Sequence, residues 1–135
     1  MPLKHDYQRI AERSLSACDA TITANIQEKA AFLAYHAFES TGCALSVHMG
    51  KRVGPTVSHI IKIKNFKDAA SALGNGKAVA ALAVNIGSLR NSFLYPIIDR
   101  STGRYVLPES KITIAQAKEL RKRVRGLMKW VGKSI

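Results

Sequence analysis

The run from Ala78 to Leu94 is the most apolar stretch of the chain, and a residue that cannot continue a helix follows it closely. At about 100° per residue, Leu82, Ile86, Leu89 and Phe93 share one arc with Val79, Ala83 and Leu94, which predicts a helix with one buried face. Pro96 stops that helix. It has no N–H, its ring clashes with the carbonyl of Ser92, and it disfavours helical geometry at Tyr95. In the middle of the apolar arc stands Arg90. A guanidinium keeps its charge, so a buried one needs an anionic partner or a polar cleft. Two readings of Arg90 stay open: it lines a functional cleft, or it pairs internally with a carboxylate such as Glu39.

Four further helices are predicted around this one. Residues from about Leu3 to Ile22 place Tyr7, Ile10, Ala11, Leu15 (or Ser14), Cys18 and Ile22 at helical spacing. Thr21, Thr23 and Asn25 mark a turn, with Asn25 and Glu28 in a capping-box pattern for the second helix. That helix runs to about Met49 on a stripe of Ala31, Ala34, Tyr35, Phe38, Gly42 and Leu45, small enough to let a neighbour approach closely. Gly50 and Lys51-Arg52 suit its end. A third helix, capped by Ser58 or Thr56 and carrying Ile60, Ile61, Ile63 and Phe66, is expected to break near Asn65. Its β-branched run also reads as a strand, but no second strand is available to pair with it. Gly74-Asn75-Gly76 separates it from the apolar fourth helix, expected to run to Leu94. Ile97 to Ile112 reads as a long loop. Thr113 to Gln116 then opens the last helix with a second capping box. These elements describe a single domain over residues 1–135, an all-α, up-and-down bundle of about five helices.

The last helix is two-faced. Ala117, Leu120, Val124, Leu127 and Val131 form its core side, while Lys118, Arg121, Lys122, Arg125 and Lys129 fall within about 100° of one another on another face. From Lys111 onward only Glu119 opposes eight lysines and arginines, and the whole chain carries a formal charge of +12. Such an excess favours a polyanionic partner, RNA or DNA before an acidic membrane. No stretch reaches the apolar length of a membrane span and the first residues lack a signal-peptide core. Cys18 and Cys43 match no metal or redox spacing. The expected setting is the cytoplasm, with two free thiols and no membrane.

Leu89 to Pro96 also carries a resemblance. An arginine, a following Asn91 and a ring at Tyr95 resemble the Arg-four residues-His signature of the HEPN family. Tyr35-His36-Ala37-Phe38-Glu39 is similar to that family's second helix, and Ser58-His59-Ile60-Ile61 to the helix start that follows it. The resemblance implies a small helical bundle that handles RNA, either a metal-independent endoribonuclease of a toxin–antitoxin or phage-defence system or a non-catalytic partner of a nucleotidyltransferase. It also implies a homodimer, no cofactor, and an antitoxin or nucleotidyltransferase as partner protein.

Cleavage of this kind drives the RNA 2′-hydroxyl onto the adjacent phosphate. It needs a base for the hydroxyl proton and a cation for the charge that builds on phosphorus. On the resemblance, Arg90, Asn91 and Tyr95 are the candidate catalytic residues, with Arg90 as the cation. Tyr95 stands where the family has histidine, and a phenol with a pKa near 10 is a poor base at neutral pH. His59, after a serine at a helix start, reads as local structure, although it is also an imidazole that could fill the gap. Lys118, Arg121, Lys122, Arg125 and Lys129 are the candidate phosphate contacts. No Glu-x-x-His or His-x-x-x-His pair appears, so no metal site is expected.

Overall fold

The second helix is the axis of the molecule. In the computed structural model, which describes residues 3–87 and 90–135, the α-helices are α1 (Leu3–Thr23), α2 (Gln27–His48), α3 (His59–Ala72), α4 (Gly76–Gly87) and α5 (Ile114–Ser134). α2 touches α1, α3 and α5, while α4 packs mainly on α3 and α5 returns to lie against α1 and α2. Almost every residue from Ala30 to Ser46 is buried apart from Phe32, Leu33 and His36. A helix covered on so many sides needs small residues, and its five alanines and one glycine supply them (Ala30, Ala31, Ala34, Ala37, Ala44 and Gly42, all buried). The expected all-α bundle is therefore what the chain forms.

The helix ends follow local chemistry. Ser58 caps α3 by accepting from the Ile61 N–H at 3.3 Å. Thr113 and Gln116 make the reciprocal capping box of α5, at 2.9 and 3.1 Å. Asn25 is corrected: it does not cap α2 but takes a left-handed φ of 62° after α1. Its N–H bonds the Ile22 carbonyl and the next N–H bonds that of Thr21, so it closes the first helix where glycine commonly would.

Other expectations are also revised. α3 is unbroken through Asn65. α4 is described as far as Gly87 and does not run to Leu94; Arg90 belongs to a turn followed by a 3₁₀ helix, Asn91–Phe93. The chain shortens to i→i+3 bonding ahead of Pro96, where an α-helical turn would meet the ring. Leu89, assigned to the apolar arc, lies outside the described residues. Val79, Leu82, Ile86 and Phe93 of that arc are buried. The stretch after Pro96 is not all loop, since β1 (Ile97–Asp99) and β2 (Arg104–Val106) pair antiparallel, Ile98 opposite Tyr105.

The core joins Leu15, Cys18 and Ile22 of α1 to Tyr35, Phe38 and Leu45 of α2, with Phe66 of α3 and the α4 and α5 stripes closing it. Ile10 and Ile60, both part of the apolar patterns of their helices, are exposed, and Ile60 is 81% so. Cys18 and Cys43 are buried and unpaired. Burial, chiefly, pushes both thiols up to about 11. No helix among the described residues is long and apolar enough to cross a membrane.

Candidate functional site

One charged side chain lies deep in the bundle. Glu39, 8% exposed on α2, accepts from the Tyr35 hydroxyl and pairs with His59 Nδ1, both at 2.6 Å from its Oε2. Lys62 Nζ stands 3.5 Å from Oε1. Tyr35 is one helical turn before Glu39, and His59 and Lys62 come from the first turn of α3, so the cluster ties α3 to the central helix. Burial by itself would raise the Glu39 pKa. The hydrogen bonds from Tyr35 and His59, and the charges of His59 and Lys62, outweigh it and hold the carboxyl below its ordinary value. Burial and the hydrogen bond to Glu39 push the Tyr35 phenol far above its usual range, making it a donor only.

An ionised carboxylate accepts and cannot donate. His59 Nδ1 must therefore carry the proton it shares with Glu39, so that whenever the ring holds a single proton Nε2 is the nitrogen left to accept. The ring is half-exposed and lines an open groove of about 990 Å³ between α3 and α4. Arg90 and Asn91 line the same groove, with Lys64 and Lys67 from α3 and an apolar wall of Ile60, Ile63, Ala80 and Ala83.

Arg90 does not pair with Glu39, as the internal-salt-bridge reading would have it. Its guanidinium carbon sits 5.6 Å from the Tyr35 ring centre and 5.7 Å from that of Phe32, a cation–π placement that contributes about 1 kcal/mol. One Nη donates to the Asn91 amide oxygen at 3.3 Å, and Nε is buried without a hydrogen-bond partner among the described residues. Tyr35 is the link, because the His59 ring centre is 6.3 Å from its own. Arg90 and His59 thus flank one aromatic side chain.

The remaining predicted residues lie elsewhere. Tyr95 is 60% exposed and does not line the groove, its N–H bonded to the Asn91 carbonyl. On α5, Lys118, Lys122 and Lys129 are exposed. Arg121 and Arg125 instead clasp Asp19 of α1 at 3.3 and 3.0 Å, so two of the five basic residues already have a carboxylate. Glu39, Tyr35 and Lys62 were missed as site residues. The Tyr35–Glu39 spacing of four on one helix was the available signal; what no spacing shows is that α3 delivers its first turn to the same carboxylate. Among the described residues no group of three or more His, Cys, Asp or Glu is placed to hold a metal. The chain matches no protein-family model, no curated protein and no solved structure.

Proposed function

We propose that this chain is a HEPN-like RNA-binding protein of the toxin–antitoxin or phage-defence kind, its Arg90 groove receiving a phosphate and its α5 lysines contacting others. The observation that carries the reading is the company Arg90 keeps. Two aromatic faces hold the guanidinium at the groove, and among the described residues no carboxylate lies within salt-bridge distance of it. A cation so placed is available to an outside anion, and the +12 chain attracts polyanions. Lys67 beside it adds to the same field, while Lys64 is paired with Asp68 at 3.5 Å.

Binding of a single-stranded RNA should weaken steeply between about 50 and 200 mM salt, through counterion release. Replacing Lys118, Lys122 and Lys129 together with alanine should lower the log–log slope by about 2, near 0.7 per phosphate contact. Arg121 and Arg125 are left out because Asp19 holds them. Fluorescence anisotropy across the salt series is the measurement. An unchanged slope would make the α5 stripe a solvated face and nothing more.

A second reading is favoured by the apolar wall of the groove. Exposed Ile60, with Ile63, Ala80 and Ala83, is surface of the kind a protein partner covers. On this reading the chain is a non-catalytic module that partners a nucleotidyltransferase or an antitoxin, or pairs with a second copy of itself. A homodimer is the form we expect. Sedimentation at micromolar concentration should show it, and a clean monomer would count against a second copy at this wall.

A further inference from the structure

We infer that His59, held by Glu39, moves the proton in strand cleavage of RNA bound at the Arg90 groove, so that the base comes from α3 and not from the position of Tyr95. The inference rests on the RNA-binding reading and adds a reaction and a residue to it.

Three observations support it. The 2.6 Å bond to a buried carboxylate fixes both the tautomer and the orientation of the ring, leaving Nε2 as the basic nitrogen. Glu39 is itself kept in place by Tyr35 and Lys62, so it can stabilise the imidazolium once a proton has been taken. Finally, the half-exposed ring opens on the groove that Arg90 lines, and both side chains pack against the Tyr35 ring. A purely structural histidine has less to do here. Tyr35 and Lys62 already serve the buried carboxylate, and a ring needed only as a third partner would gain nothing from facing a cationic groove.

The step balances without a co-reactant. His59 Nε2 takes the proton of the RNA 2′-hydroxyl, and the 2′-oxygen forms a bond to the adjacent phosphorus. The bond from phosphorus to the 5′-oxygen of the next nucleotide breaks, and that oxygen receives the proton back from the imidazolium. Arg90 offsets the charge on the non-bridging oxygens as it develops. The products are a 2′,3′-cyclic phosphate and a 5′-hydroxyl. Glu39 and Tyr35 act as positioning residues, and Tyr95 has no part.

The test is cleavage of end-labelled single-stranded RNA by the full chain in EDTA, with binding and thermal melts run alongside. Wild type should give the cyclic-phosphate and 5′-hydroxyl ends. His59→Ala should cut at least about 100-fold more slowly, the usual contribution of a general base, while staying folded at the assay temperature and keeping its RNA affinity, its melting temperature lowered by the lost bond to Glu39. Added imidazole should restore part of the rate, and Tyr95→Phe should cut like wild type. Wild type that binds RNA but leaves it whole would overturn the inference and spare the binding reading. Failure to bind RNA at all would overturn both. A His59→Ala chain that cuts at the wild-type rate, or loses cleavage with no rescue by imidazole, would return His59 to a structural role.

Discussion

Glu39→Ala is expected to destabilise the fold by about 3 kcal/mol, the lower end for breaking a buried ion pair, because His59 on the other side is half-exposed. Three donors lose their acceptor at once. The Tyr35 hydroxyl suffers most, being on one of the most completely buried side chains and left with no other acceptor among the described residues. For a domain of this size the melting temperature should fall by roughly 10 °C. The effect also has a pH signature. The folded Glu39 carboxyl titrates below its ordinary value of 4.5, so its contribution is complete above that value and drains away as pH falls through the lower, folded one. The stability gap between wild type and Glu39→Gln, measured by urea melts, should therefore narrow as the solution is acidified below 4.5. A loss under about 1 kcal/mol at neutral pH would show the cluster to be well solvated.

Gly42→Ala should be costly for a different reason. A Cβ there would stand 2.5, 2.7 and 2.9 Å from Phe66 Cδ2, Cγ and Cβ. The ring cannot swing clear, because Phe66 is buried with its centre 5.1 Å from that of Phe38. Moving its Cβ means moving α3. Overpacking of this kind costs about 3 kcal/mol, offset by roughly 1 kcal/mol of better helix propensity. Gly126→Ala makes the sign of the argument visible. That position on exposed α5 surface has open space around a Cβ, so the same substitution should stabilise by up to about 1 kcal/mol. Chemical denaturation of both variants decides. If Gly42→Ala proved neutral, the α2–α3 contact would be looser than the structure has it.

Both effects fall on α2, and that helix shows how far the sequence could be read. Its limits and its stripe of Ala31, Ala34, Tyr35, Phe38, Gly42 and Leu45 follow from spacing, and all six are buried. The depth of its other faces does not. Ser40, Thr41 and Ser46 look like surface residues, and only a helix enclosed by several others buries them. The α5 core stripe was legible residue by residue, since one side of that helix faces water and the pattern is clean. α3 misled, because Ile60 and Ile61 are apolar yet turned outward. Periodicity cannot separate a core isoleucine from one that walls a groove.

The candidate site was legible in its oddest member only. Arg90 stands out because a charge interrupts an apolar arc, and it does line the groove. Its aromatic surroundings and the Glu39–His59 bond depend on how α3 crosses α2, which is set by long-range packing and leaves no local trace. Tyr95 was chosen by its distance along the chain from Arg90. The 3₁₀ turn that begins at Asn91 replaces the α-helical spacing that choice assumed.

The two cysteines have a consequence of their own. Free thiols suggest a reducing compartment only if an oxidant can reach them and they can ionise. Cys18 and Cys43 are shut inside the bundle, and Cys18 even lends its S–H to the Ala30 carbonyl at 3.2 Å. With thiolates reached only near pH 11, they are slow nucleophiles and poor targets for peroxide or glutathione. Buried cysteines of this kind are inert, and they carry no address.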